Sequence, residues 1–284
     1  MSCPSPKLLV APSKSDVPSI LCPPIAEMAQ AALKDHGAVS IALSGGSLPS
    51  FLASLPQAFD SPEAAQWSKW HVFLADERCV PEDHDDSNTK ALLDKFMSQV
   101  PIPASQIYKI NQTFVSMEGG AGSGSSDSAA IAKDYQDRLV SALTAHTKGR
   151  LDIAVLGFGP DGHTCSLFPE HALIQPNQPS DIWVAPIDDS PKPPPQRITL
   201  TLPVLTQKTD HIIVCGAGGS KQPIVSKVFS SLSDKTESEG VTQYEGTMAQ
   251  PPPYPSAMVM PQTSLTWVLD KDALGDESQV GAKS

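Results

Sequence analysis

Three glycines within six residues, set directly behind a short apolar run, constrain this chain more than any other feature in it. Residues 151–171 read LDIAVLGFGPDGHTCSLFPEH. Leu151, Ile153, Val155 and Leu156 belong to a run bounded by turn residues, the pattern of a buried strand. Gly157, Gly159 and Gly162 let the backbone bend behind it and bring its amides close to a ligand. Asp161 and His163 stand inside that bend. Imidazole titrates near neutrality, so a His beside an Asp at the carboxyl end of a buried strand is placed to move protons. Two other readings fit the same residues. The glycines satisfy GxGxxG, and Asp181 follows at the spacing of a ribose-binding acid. Pro169, with only six residues between it and the third glycine, breaks the long helix that this fingerprint needs. A plain turn whose Asp and His cap backbone groups is the other reading, and the rest of the chain argues against it.

Apolar runs alternate with helical periodicity along most of the sequence. Lys7–Ala11, Ala38–Leu43, Trp70–Ala75, Asp210–Cys215 and Leu265–Leu269 read as strands, with further candidates at Ile182–Ile187 and Arg197–Thr201. Helices are expected from Pro23-Pro24 to Gly37, after Ser87 or Asn88, over Ala129–Ala145, and after Lys221 through Phe229. Strands alternating with helices predict an α/β fold with a mostly parallel sheet. The chain reads as one domain over residues 1–284. It carries a Gly/Ser-rich flexible loop at 117–128, a polar and then proline-rich insertion at 231–255 expected to be mobile and outside the core, and a frayed tail at 275–284.

Several strand ends carry unusual residues. Ser44-Gly45-Gly46-Ser47 follows the second strand and leads to a short helical segment, where amides are open to an anion. Asp76-Glu77-Arg78 ends the third. Gly216–Lys221 resembles a phosphate loop but fails GxxxxGK[ST], so ATP is not indicated. If these strands are neighbours, their ends form one cleft with phosphate-binding amides, cations and an acid–base pair, as an enzyme acting on a phosphorylated small molecule requires.

The net charge of −11 argues against a general nucleic-acid or anionic-membrane surface, while a few local cations still allow a small anionic substrate. Five widely spaced cysteines without a CxxC fit reduced thiols, and Cys165 reads as a packing residue rather than a nucleophile. No run reaches transmembrane length and no leader is evident, so a cytoplasmic protein is expected. Nothing has metal-ligand spacing.

SGGSLPSFL, LADERCVPEDHDDSN, LGFGPDGHTCSLFP and the R-I-T-L-T segment resemble, in order and separation, the 6-phosphogluconolactonases of the glucosamine-6-phosphate deaminase/6-phosphogluconolactonase family. The resemblance runs from about residue 20 to 270. It implies a three-layer α/β/α sandwich related to the ribose-5-phosphate isomerase-like fold. It also implies hydrolysis of 6-phospho-D-glucono-1,5-lactone, an activated ester that needs no metal or cofactor; the sequence leaves monomer and homodimer both open. On that resemblance Ser44, Gly45, Gly46 and Ser47 form the phosphate and sugar loop, and Arg197 and Lys221 pair with the 6-phosphate. Asp76 and Arg78 line the lactone end, and His163 is the general base with Asp161 nearby. Either Asp161 or Asp76 would orient the ring. The usual S-T-P is Ser47-Leu48-Pro49 here, and the usual TASLF is Thr164-Cys165-Ser166-Leu167-Phe168; both changes spare the charged positions. An amino-sugar-phosphate deaminase would need a Glu in a GHxxFxE-type continuation, which Ser166 and Leu167 before Phe168 interrupt. A non-catalytic sugar-phosphate sensor would need a DNA-binding helix-turn-helix, for which the first 40 residues have neither room nor basic charge.

Overall fold

The structure is a computed structural model that describes residues 5–116, 126–238 and 240–281. In chain order it runs β1 (Lys7–Ala11), α1 (Val17–His36), β2 (Val39–Leu43), α2 (Leu48–Leu52), β3 (Trp70–Leu74), β4 (Asp76–Arg78) and α3 (Asn88–Lys95). Next come α4 (Ser128–His146), β5 (Leu151–Gly157), β6 (Val184–Ile187), β7 (Arg197–Leu200), α5 (Leu202–Gln207) and β8 (Thr209–Gly216). The chain closes with α6 (Gln222–Val228), β9 (Phe229–Ser238), β10 (Val241–Met248), α7 (Pro255–Met258), β11 (Ser264–Asp270) and α8 (Lys271–Leu274).

Among the described residues, eight strands form one sheet in the order β3-β2-β5-β8-β11-β1-β10-β9. Every pairing from β3 to β1 is parallel, and β10 and β9 extend the sheet antiparallel. This is an α/β fold with a mostly parallel sheet. β2 and β3 are buried along their whole length, which is why they read as unbroken apolar runs.

α1 packs against β1, β2, β5 and β11. It begins at Val17, earlier than the prolines suggest, with Pro18 in its first turn and Pro23 and Pro24 inside it. Each inner proline forfeits a backbone hydrogen bond. The buried stripe Val17, Ile20, Leu21, Ile25 and Ala29 offsets that loss at helical spacing.

Residues 231–255 correct the sequence reading more strongly. Most of them form β9 and β10, and β10 pairs with β1, with Leu8 opposite Tyr244. Thr242, Tyr244, Gly246 and Met248 point inward at every second position, so the segment contributes to the core. Only two of those four side chains are large and apolar, and β9 is an edge strand exposed over most of its length; the alternation is therefore faint in the sequence. The tail also has partners: Glu277 accepts a hydrogen bond from the Tyr244 hydroxyl, and Gly281 N donates to Ser226 O (3.0 Å). Residues 282–284 lie outside the described residues. So do 117–125 of the Gly/Ser loop; from its end, Ser126 Oγ donates to Cys79 O (3.0 Å) and Ser128 opens α4.

A second sheet, β4-β7-β6, is antiparallel, with Asp76 opposite Thr199 and Arg78 opposite Arg197. Ala75 ties it to the main sheet. Its N–H donates to Leu43 O (2.8 Å) and its carbonyl accepts from Leu200 N (2.8 Å). The small sheet thus stands at the carboxyl ends of β2 and β3.

Candidate active site

β3, β2, β5 and β8 are consecutive neighbours, so the segments that follow them meet along one sheet edge. They enclose a cleft of about 260 Å³, where open α/β sheets bind ligands. Ser44, Gly45, Gly46, Ser47, Asp76, Arg78, His163, Arg197 and Lys221 all line it, and Asp161 stands behind His163.

The glycine bend holds the acid–base pair. His163 Nδ1 lies 2.5 Å from Asp161 Oδ1, and Gly159 N donates to His163 O (2.8 Å). A Cβ on Gly159 would fall 2.2 Å from His163 Nδ1 and 2.4 Å from Asp161 Oδ1, so only glycine permits this closure. Gly162 has φ +82° and carries the Tyr254 ring against its Cα, bringing the end of the 231–255 segment onto the bend. Of the two carboxylates that the sequence leaves as candidates, Asp161 is the one bonded to the ring. Burial acts to raise its pKa, but hydrogen bonds from Lys192 and His163 outweigh it and hold Asp161 at about 2. Burial pushes His163 below the ordinary imidazole value, against the pull of Asp161. Burial thus favours the neutral ring, and its Nε2 has no hydrogen-bond partner among the described residues.

β4 sorts its three charges by strand alternation. Asp76 and Arg78 face the cleft, while Glu77, 1% exposed, turns the other way. Glu77 accepts from the backbone N–H groups of Arg78, Asn88 and Thr89 (each 2.8 Å) and from Thr89 Oγ1 (2.7 Å). It thereby fixes the start of α3. Burial raises its pKa, and these donors act against that. The middle residue of the charge run is a structural hub, which sequence order alone does not distinguish from its neighbours. Asp76 Oδ2 accepts from Ser166 Oγ (2.8 Å), and its carbonyl accepts from Asn88 Nδ2 (2.9 Å).

Cations gather opposite. Arg78 donates through Nη1 to Asp86 O (2.9 Å), and its buried Nε lacks a partner among the described residues. Arg197 is 2% exposed; burial, and then the facing Arg78 guanidinium, push it down to about 10. Much of Arg197 is committed internally, to Pro194 O (3.0 Å), Lys192 O (2.9 Å), Pro193 O (3.0 Å) and Ser166 Oγ (3.3 Å). Lys221 Nζ donates to Phe158 O (2.5 Å), and burial lowers its pKa, with Lys192 adding to the effect. Two arginines and a lysine line one cleft of a chain of net charge −11, a local concentration of positive charge suited to an anion.

Sequence reasoning missed Lys192, whose Nζ sits 2.9 Å from Asp161 Oδ2. A lysine within a proline run was its only signal. Among the described residues no group of three metal-ligating side chains forms, and no helix is long and apolar enough to cross a membrane.

Known proteins share this arrangement of sequence. The profile of the family described as glucosamine-6-phosphate isomerases/6-phosphogluconolactonase matches residues 12–267. A protein of Oryza sativa subsp. japonica named probable 6-phosphogluconolactonase 3, chloroplastic, is 42% identical over 260 residues, covering 90% of this chain and 71% of that one. The Homo sapiens 6-phosphogluconolactonase is 37% identical over 277 residues, 96% of this chain and 95% of its own. Among solved structures, 6-phosphogluconolactonase from Leishmania guyanensis aligns with a TM-score of 0.70 at 27% identity, over 95% of this chain and 97% of that one. The chain belongs to the glucosamine-6-phosphate isomerase/6-phosphogluconolactonase family.

Proposed function

We propose that this protein hydrolyses 6-phospho-D-glucono-1,5-lactone to 6-phospho-D-gluconate, the second step of the oxidative pentose phosphate route, with His163 as general base. One observation carries the reading: an imidazole bonded at Nδ1 to Asp161, and without an Nε2 partner among the described residues, lines the same cleft as Arg78, Arg197 and Lys221. The relatives' names point to the same reaction.

Nε2 takes a proton from water as the water oxygen attacks C1 of the lactone. The carbonyl oxygen becomes an oxyanion, for which Arg78 on the cleft wall is a cationic donor. Asp161 and the nearby Asp76 both favour the imidazolium as it forms. The imidazolium then gives its proton to the departing ring oxygen, and the C1–O bond breaks to leave the acid. Lys221, the remaining N–H capacity of Arg197 and the Ser44–Ser47 loop receive the 6-phosphate. The lactone is an activated ester, so this route calls for no cofactor.

We further read the fold as a three-layer α/β/α sandwich related to the ribose-5-phosphate isomerase-like proteins, working as a single domain. The continuous core from Leu8 to Leu274 supports that reading. A cytoplasmic location fits the buried free thiols of Cys22, Cys79, Cys165 and Cys215, and we take the working unit to be a monomer or homodimer.

The test is hydrolysis of the phosphorylated lactone by the purified chain against a no-enzyme control, with glucono-1,5-lactone and glucosamine 6-phosphate in parallel. Acceleration confined to the phosphorylated lactone is expected. Ammonia release from glucosamine 6-phosphate without lactone hydrolysis would replace this function with a deaminase.

A further inference from the structure

Lys192 is a charged side chain that the mechanism above does not use. Its Nζ is 2.9 Å from Asp161 Oδ2 and 3.1 Å from His163 Nδ1. An exposed lysine gains little from such a pair if its own chain must be ordered to make it. Here the backbone is ordered in advance. The buried Arg197 guanidinium grips the carbonyls of Lys192, Pro193 and Pro194. Ser190 Oγ accepts from Lys192 N (3.2 Å) and donates to Lys192 O (2.8 Å). A residue expected to bind substrate thus spends most of its donors holding the segment that carries Lys192.

We propose that Lys192 is a positioning residue for the base: it saturates the second oxygen of Asp161, fixes that carboxylate against Nδ1, and keeps the ring neutral with Nε2 as its proton-accepting nitrogen. This rests on the reading of His163 as the base. An ammonium only donates, and so does Nδ1–H. Both cannot serve each other, and the Asp161 carboxylate is the stronger acceptor for each. With Oδ2 taken by Lys192, Oδ1 receives Nδ1–H, which leaves the lone pair on Nε2.

The charge balance has the same logic. The groups facing His163 are Asp161 from its own bend, Lys192 from the proline segment and Asp76 from β4, while the Phe168 ring packs 4.9 Å away. Lys221 lies one loop further on, bonded to Phe158 O. Asp161 and Asp76 favour imidazolium, whereas burial and Lys192 oppose it. Without Lys192, two carboxylates would face the ring unopposed and hold it protonated at higher pH.

The experiment follows the His163 ring resonances with pH, together with the pH profile of kcat/KM, in the full-length wild type, Lys192→Met and Lys192→Arg. In Lys192→Met the His163 midpoint and the acid limb are both expected to rise by about one pH unit, with KM changed less than about twofold. Lys192→Arg is expected to restore both. Lys192→Gln, which keeps a polar end, gives the same shift and covers the case that the Met variant folds poorly. A His163 midpoint unmoved by either neutral variant overturns the proposal. So does a raised KM with a fixed acid limb, which would put Lys192 on the substrate. His163→Asn activity tests the base reading separately, and the ring titration decides the role of Lys192 even if that reading fails.

Discussion

The main sheet has a histidine–carboxylate pair near each end of its strands, one partly open to the cleft and one almost closed off, and the two pairs do different things. At the carboxyl ends, His163 and Asp161 sit in a glycine bend on the cleft. Towards the amino ends, His36 in the last turn of α1 meets Asp152 in β5 at 2.9 Å. Asp152 Oδ2 also accepts from Ser40 N (2.7 Å) and Ser40 Oγ (2.8 Å), so the pair staples α1 and β2 to β5. Burial raises the Asp152 pKa, whereas Lys192 and His163 hold Asp161 at about 2. The second nitrogen of His36 is sealed in protein without a partner among the described residues, while Nε2 of His163 belongs to a ring on the cleft wall. The same two residue types become architecture or chemistry according to whether the ring's other nitrogen meets protein or cleft, and whether a cation steadies the carboxylate.

The contrast breaks most visibly at His163. His163→Asn keeps volume and polarity but accepts no proton at neutral pH. It is expected to lower kcat by about 10²–10⁴-fold, roughly 3–5.5 kcal/mol of barrier, while 6-phosphogluconate still binds. Rates must be corrected for spontaneous hydrolysis of the lactone. A well-folded variant that retains more than about a tenth of the corrected kcat would remove His163 as the base.

At the opposite end the expected loss is in stability. Asp152→Ala strips the acceptor from Ser40 N, Ser40 Oγ and His36 at once, and a cost of about 2–4 kcal/mol in urea unfolding follows from buried donors left unpaired. The folded fraction is expected to keep its kcat. A fall in kcat per folded molecule would mean that the two ends of the sheet are coupled.

Lys221→Ala sharpens the site from the binding side. On the proposed phosphate role of Lys221 it removes a charge-assisted contact, so KM is expected to rise about 10–100-fold with a smaller change in kcat. An unchanged KM for the phosphorylated lactone would take Lys221 out of the site.

Much of this arrangement was legible in the sequence because its causes are local. β2, β3, β5, β8 and β11 are buried on both faces and read as plain apolar runs, and the residues that follow four of them line the cleft. What was not legible depends on distant contacts. Lys192 reaches Asp161 across 31 residues of chain only because Arg197 grips its loop. Glu77 was indistinguishable from Asp76 and Arg78 until β4 paired with β7 and gave the three residues alternate faces. The β9–β10 pair hid behind inward Thr242 and Gly246, which satisfy the sheet without looking like core. Pro23 and Pro24 looked like a helix start because their cost is local, while the burial that outweighs it is tertiary.

The contrast between the two pairs is tested most directly by following the ring protons of His163 and His36 together in the intact protein, with pH, with and without 6-phosphogluconate. His163 is expected to titrate below the ordinary imidazole value of about 6.5, because burial outweighs the pull of Asp161. Its signals are expected to move when product fills the cleft, while those of His36 stay where they are. Product that shifts His36, or that leaves His163 untouched, would contradict the division of labour described above.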